Sequence, residues 1–538
     1  MSPVRILIAA LLLSLLSLLA PLHAAVASQP GVKPNIIFIL ADDLGYGDLS
    51  SYNPKSKIPT PNMDRLATQG MRFTDAHSPS GVCTPTRYGV LTGRYAWRST
   101  LKNGVLQGYS APLIPPERET VASQLRQDGY RTACIGKWHL GMDLPTTDGR
   151  PLDATGEGLP ANADWSGVVR NGPLARGFDY FFGCTASWDM PPYAWVENER
   201  FVRTDLIRTR RDDGFGRPGV KSPGMKPQDA LPALTRKAVD YIESSAKEHA
   251  GVPFFLYFPL TAPHTPVAPN IAFKGRSQAG DYGDFVVEVD DTVGQIMSVL
   301  DKTGLAQNTL LIVTSDNGPE RIMIKRKTEY EHYSASLFLG CKRDNWEGGH
   351  RVPFITRWPG RVPAGTTSAE VICLTDFMAT AAALRGTTLP PNAGEDSYNL
   401  LPVLTGEKLA RPLRDATVHH SSGGEFAIRQ GRWKLLLHAG SGGNNYRNDS
   451  AYASYFEKPV QLYDLVADAG ETRNVAESNP EVVATLTDLM KRYVLTGRST
   501  PGPAQTNDTP NDWQQLSWMG GVTKSAPPPR RSGKNKRK

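Results

Sequence analysis

The sequence predicts an α/β fold, with helices layered on a largely parallel or mixed β-sheet and a smaller C-terminal unit of antiparallel strands with one helix. Three observations carry this reading. Short apolar runs of strand length alternate with longer runs of helical periodicity through the body of the chain. Some of these runs, such as "NIIFIL" (Asn35 to Leu40), are apolar almost without interruption, as expected of strands buried on both faces. After about Arg385 the texture changes to loop-like segments and a hairpin pattern.

Taken in order, the predicted strands end on polar residues. "NIIFIL" runs into Asp42 and Asp43. "ETVASQLRQDG" reads as a helix closed by Gly129, and the strand "YRTACIG" after it delivers Lys137 and His139. The helix "LPALTRKAVDYIESSAKEH" precedes the strand "PFFLYFPL", which delivers His264. The helix "FVVEVDDTVGQIMSVLDKTG" precedes "NTLLIVTSDNG", which delivers Asp316 and Asn317. Ligands of open α/β sheets bind beyond the carboxyl ends of the strands. Four such ends carrying acids, a lysine and histidines therefore predict one site. Further on, "EFAIRQGRWKLLLHAG" reads as a hairpin turning at Gln430 and Gly431, and a helix is expected from Glu481 to Leu495. From Gly497 the Pro, Gly, Ser and Lys content predicts disorder.

The 538 residues allow a large core, and the expected division is a signal segment over 1–27, a main domain over 28–410, a smaller α+β subdomain over 411–497 and a disordered basic tail over 498–538. The leader combines a basic start, a leucine-rich run and small residues near Ala24 and Ala27, the pattern of a secretory signal. A retained anchor is the competing reading, because the apolar run approaches spanning length. The formal charge of +7 does not signal nucleic-acid binding. Six of those charges are Arg530, Arg531, Lys534, Lys536, Arg537 and Lys538, one is Arg5, and the body between is neutral. Export permits disulfides, but five cysteines are too few for a disulfide framework. If Cys83 is used by chemistry, Cys134, Cys184, Cys341 and Cys373 allow three pairings.

Cys83 stands in "SGVCTPTRYGVLTGR". Pro85 suits an early helical position, so Cys83 is expected at a helix N-terminus, where backbone N–H groups favour an anion. Arg87, four residues on, shares its helical face. Thiolate catalysis with a histidine partner is one use of such a residue. "CTPTR" also matches Cys-x-Pro-x-Arg, and with "LTGR" it resembles the signature of the type I sulfatases, whose cysteine a separate maturation enzyme oxidises to formylglycine. Thr86 stands where serine is usual. The resemblance extends through "PNIIFILADDLGYGD", "GYRTACIGKWHLG", "APHTP", "TSDNG" and "CKRDNWEGGHRVPFI", from about Pro34 to Asn474.

This resemblance implies the alkaline-phosphatase-like sulfatase fold: a large mixed, mostly parallel sheet sandwiched by helices. It implies one Ca²⁺ held by Asp42, Asp43, Asp316, Asn317 and the residue derived from Cys83, an oxygen-rich set that suits a hard cation. In the mechanism it implies, the hydrated aldehyde attacks sulfur near Arg87, and the resulting sulfated hemiacetal collapses to expel sulfate. Lys137 and Lys342 would contact the sulfate, His264 would protonate the leaving oxygen, and His139 would deprotonate the intermediate. The implied partners are a sulfated carbohydrate or other sulfate ester and the formylglycine-generating enzyme. Nucleic acid is excluded, as is a membrane span once the signal is cleaved, and the expected location is periplasmic or secreted. The competing functions are a phosphatase or phosphonate monoester hydrolase of the same superfamily and a non-catalytic binder of sulfated glycans. Lysines at 137 and 342, in place of further Asp and His metal ligands, favour a singly charged sulfate ester over the former. For the pocket wall, Trp188 or Trp195 would stack on a sugar and His419 or His420 would touch its hydroxyls, although packing roles are equally expected of each.

Overall fold

A computed structural model describes residues 33–152 and 160–520. Ten strands form the main sheet: β1 (Asn35–Ala41), β2 (Met71–Phe73), β3 (Arg131–Lys137), β4 (Tyr180–Cys184), β5 (Val196–Glu197), β6 (Arg200–Phe201), β7 (Phe254–Pro259), β8 (Thr309–Ser315), β9 (Phe354–Arg357) and β10 (Thr366–Ser368). Their spatial order is β10-β2-β9-β8-β1-β7-β3-β4-β5-β6. The central strands β8, β1, β7, β3 and β4 are mutually parallel, whereas β9 runs antiparallel to β8 and β5 antiparallel to β4. The sheet is therefore mixed, with its parallel part in the middle.

Period-two alternation explains why β1 carries no polar residue beyond Asn35. Ile36, Phe38 and Leu40 enter a core shared with helices α2 (Cys83–Thr92), α3 (Val121–Gln127) and α6 (Phe377–Leu384). Ile37, Ile39 and Ala41 enter the core on the opposite face, shared with α1 (Pro61–Gln69), α4 (Ala230–Glu248) and α5 (Gly280–Lys302). With helices on both faces, the carboxyl ends of the parallel strands are left as the open edge on which a site can be built.

A separate four-stranded antiparallel sheet follows, of β11 (Thr417–His420), β12 (Phe426–Gln430), β13 (Trp433–Leu436) and β14 (Gln461–Asp464). Its core is closed by Leu486, Met490 and Val494 of α7 (Pro480–Leu495). The β12–β13 turn falls one residue later than expected, because Gln430 pairs with Trp433 and the turn is Gly431 and Arg432. Gly431 has φ 55°, the left-handed value that two-residue hairpins require.

Residues 498–520, expected in the disordered tail, are packed. Arg94 pairs with Asp508 at 3.0 Å, Arg98 donates to Asn507 Oδ1 at 3.3 Å, and Leu516 is fully buried against the small-sheet core. The segment is coil by composition, but buried arginines from the main domain hold it, and composition does not report that. The expected signal over 1–27 and the basic cluster at 530–538 lie outside the described residues. No helix among the described residues is long and apolar enough to cross a membrane. All five cysteines are buried free thiols, so none of the three pairings is formed.

Candidate active site

Six segments bring the site together at the carboxyl edge of the sheet. β1 leads into Asp42 and Asp43, and Asp43 takes φ 69°, a conformation that costs a non-glycine residue about 1 kcal/mol or more. The turn is pinned by Asp42 N donating to the Ala262 carbonyl (2.9 Å) and Leu44 N donating to Ser315 Oγ (3.0 Å). β8 leads into Asp316 and Asn317, β3 ends on Lys137 with His139 just beyond, and His264 lies in the loop after β7. As expected, α2 begins at Cys83, with Val82 as its extended N-cap. Lys342 enters from a loop fastened by its own N–H to the Pro319 carbonyl at 2.9 Å.

All ten predicted residues are buried. Lys137 Nζ donates to Asp42 Oδ2 at 2.7 Å. Lys342 Nζ donates to Asp43 Oδ2 at 2.9 Å and stands 2.8 Å from its Oδ1. Arg87 reaches Asp316 Oδ2 at 2.7 Å and Asp42 Oδ2 at 3.6 Å. Asn317 Nδ2 donates to Asp43 Oδ1 at 2.7 Å. Ligand atoms of Asp42, Asp43 and Asp316 lie within 4.8 Å of one another, and so do those of Asp42, Cys83 and His264. Two oxygens of this cluster, Asp42 Oδ1 and Asn317 Oδ1, are buried without a hydrogen-bond partner. Unpartnered buried oxygens are costly in a dry interior. Here they belong to a set of hard oxygen donors, which fits a divalent cation of the Ca²⁺ type.

The electrostatics are those of interleaved charges. Burial alone would raise Asp42, but Lys137, His264, Arg87 and Lys342 together hold it well below the usual carboxylate range. Burial and the Asp42 charge push Asp316 up. Burial also pushes the Cys83 thiol up, against the pull of Lys137 and Lys342, so the helix start does not produce a ready thiolate. His139 donates from Nε2 to the Leu106 carbonyl at 2.8 Å, which leaves the lone pair on its unpartnered Nδ1. Burial, then Lys137 and Arg87, keeps that ring neutral well below its usual range. His264 donates from Nδ1 to the Thr265 carbonyl at 2.6 Å and turns Nε2 towards Asp43 Oδ2, 3.8 Å away.

The acid cluster flanked by lysines, with a buried cysteine heading a helix, lies within residues 34–387, which match the family model described as Sulfatase. This chain belongs to the sulfatase family. It is thus a sulfuric ester hydrolase, and the matched span contains every residue of the site. The chain is 34% identical over 503 residues to the N-acetylgalactosamine-6-O-sulfatase of Bacteroides thetaiotaomicron, covering 86% of this chain and 93% of that protein. It is 34% identical over 514 residues to human arylsulfatase A, covering 91% and 93% respectively. A solved structure concerning the metabolism of multiple glycosaminoglycans by Bacteroides thetaiotaomicron superposes with a TM-score of 0.75 at 33% identity, covering 86% of this chain and 99% of that one.

Of the two roles weighed for the aromatic and histidine residues near the site of this sulfatase, the structure shows packing contacts for each. Trp188 is buried edge-to-face on Trp195, with ring centroids 4.8 Å apart, inside a small aromatic cluster. His419 is fully buried and stacks on His350 at 3.6 Å, and His420 packs on Phe426 at 4.8 Å. Two acids beside the site were not among the predicted site residues, although Asp189 falls in the segment from Cys184 to Arg200 whose aromatic and acidic groups were expected in the pocket wall. Glu320 lies 3.9 Å from Lys342 Nζ and binds the Arg343 guanidinium through both oxygens, at 2.6 and 2.9 Å. Asp189 lies 4.0 Å from His264 Nδ1. Each is a lone acid in a loop, and only the fold brings it to the site.

Proposed function

We propose that the protein is an exported sulfatase that hydrolyses organic sulfate monoesters, those of sulfated saccharides or aryl sulfates, to alcohol and sulfate. The observation that carries this reading is the seating of Cys83 within one cluster with Asp42 and His264, where Lys137 donates to Asp42. Cys83 is in this reading the precursor of formylglycine, made by a separate maturation enzyme, and its hydrated aldehyde supplies the oxygen nucleophile. One Ca²⁺ held by Asp42, Asp43, Asp316, Asn317 and the residue at 83 supplies positive charge beside that nucleophile.

The chain's own residues do the rest. Arg87 holds Asp316 in place and adds charge beside position 83. Lys137 and Lys342 receive the sulfuryl oxygens, where negative charge builds in the transition state. His264, with Nε2 facing the cluster, gives its proton to the leaving alcohol, and the bare Nδ1 of His139 accepts one during release of sulfate. The N-acetylgalactosamine-6-O-sulfatase relative favours a sulfated sugar as substrate. The leader over 1–27 accounts for export to the periplasm or medium, and the catalytic and smaller domains are taken as 28–410 and 411–497.

Turnover of nitrophenyl sulfate and nitrophenyl phosphate by purified, natively matured enzyme tests the reading. Faster sulfate turnover is expected. Faster phosphate turnover would favour a phosphatase or phosphonate monoester hydrolase, and turnover of neither would favour a glycan binder.

A further inference from the structure

The two nitrogens of His264 face different chemistry. Nε2 looks towards Asp43, in the cation and sulfate half of the site. Nδ1 looks the other way, with Asp189 Oδ1 4.0 Å off. That oxygen is covered and has no hydrogen-bond partner, so the part of the Asp189 side chain that is exposed, 20%, lies on its other atoms. Beside Oδ2, at 3.5 Å, is Nη2 of Arg217, whose side chain is 31% exposed. Nη1 of the same guanidinium donates to Gln107 Oε1 at 2.7 Å. Three segments far apart in sequence thus converge beside the Nδ1 edge of the imidazole whose Nε2 edge would meet the leaving oxygen.

Their convergence is tightly packed. A Cβ on Gly216 would lie 2.7 Å from Asp189 Cβ, and one on Gly108 would lie 1.9 Å from the Pro191 carbonyl oxygen, so both neighbouring loops approach as closely as glycine allows. None of the three polar groups is needed to hold the acid cluster. An acidic acceptor next to a guanidinium and an amide presents the acceptor and donor pair that carbohydrate hydroxyls satisfy, whereas an aryl leaving group offers no hydroxyl.

We propose that Asp189, positioned with Arg217 and Gln107, binds a free hydroxyl of the substrate sugar close to the sulfated carbon, and so selects saccharide sulfates over aryl sulfates. This rests on the sulfatase reading of the neighbouring cluster. The test uses full-length matured enzyme and its Asp189→Asn and Arg217→Lys variants. Each is assayed on nitrophenyl sulfate and on the sugar that the parent turns over fastest in a panel of position-defined monosulfated hexoses and hexosamines. The ratio of kcat/KM on the sugar to kcat/KM on nitrophenyl sulfate should fall about tenfold to a hundredfold, mostly through KM, as expected for a lost hydrogen bond to a charged group. A ratio that stays at the parental value overturns the proposal, as does a parent that turns over nitrophenyl sulfate and no sugar of the panel.

Variants too slow to assay are read by calorimetry in a Cys83→Ala background, comparing the Kd of the same sugar sulfate with that of inorganic sulfate. Asp189→Asn should weaken the sugar relative to the inorganic ion, and equal weakening of both overturns the proposal. Failure of the underlying reading shows separately, in the parent enzyme, as phosphate turnover exceeding sulfate turnover.

Discussion

Arg87 donates to one oxygen of Asp316 through two nitrogens, Nε at 3.1 Å and Nη2 at 2.7 Å, while Nη1 donates to the Lys137 carbonyl at 2.9 Å. Both side chains are fully buried. A lysine cannot reproduce that fork. Arg87→Lys should lower kcat on nitrophenyl sulfate by about 10² to 10³-fold. Arg87→Ala strands a buried carboxylate and should cost about 3–5 kcal/mol in urea unfolding. Parental values for both variants would show that the pair is incidental.

The unpartnered Asp42 Oδ1 and Asn317 Oδ1 predict a cation stoichiometry near one per chain by elemental analysis. Asp42→Ala and Asn317→Ala should each bring it well below one. Calcium at a hundred times its Kd should stabilise the parent by about 2.7 kcal/mol and raise its Tm, whereas the variants should respond little. A parental Tm indifferent to calcium and to chelators would argue against the site.

Lys342 touches both oxygens of Asp43 and is raised above the usual lysine range, since Asp43, the Cys83 position, Asp42 and Glu320 together outweigh the effect of burial. It therefore stays charged throughout the working range. Lys342→Met should lower kcat/KM by about 10² to 10³-fold and weaken inhibition by the product sulfate. Unchanged sulfate inhibition would remove the lysine from the sulfate contact.

The small sheet sets an acid limit on stability. Burial pushes His420 down to about 3 and His438 down to about 4. Neutral His438 is fully satisfied, with Nδ1 donating to the Ala439 carbonyl at 3.2 Å and Nε2 accepting from Asn345 at 3.0 Å. Unfolded, both rings bind a proton near pH 6.5, so the unfolded state holds more protons between that pH and the folded values. Stability should be full above about pH 6.5 and should fall as pH drops towards 4 and then 3, by on the order of 3 kcal/mol per ring. Thermal melts against pH check this, and His438→Gln should flatten the slope.

Much of the sheet was legible because its central strands are buried on both faces, which forces apolar runs such as "NIIFIL" and makes their polar ends conspicuous. Asp42, Asp43, Asp316 and Asn317 could be read this way from the residues alone. The helix start at Cys83 and its shared face with Arg87 were legible from the residues, but its formylglycine role and Lys342 needed the family resemblance. The segment holding Asp189 was legible as pocket wall, but its meeting with Gln107 and Arg217 was not, because that depends on loop packing against Gly108 and Gly216. The packing of residues 498–520 was not legible for a related reason: it comes from partners such as Arg94 and Arg98, which are distant in sequence.

In the working enzyme the side chain at position 83 should be an aldehyde. Trypsin should release the peptide Phe73–Arg87 from natively produced, active protein, and its mass and fragmentation report position 83 directly. Position 83 should hold a residue in which one oxygen replaces the sulfur and two hydrogens of cysteine, in a fraction that tracks specific activity across preparations. An unmodified thiol throughout fully active material would contradict it.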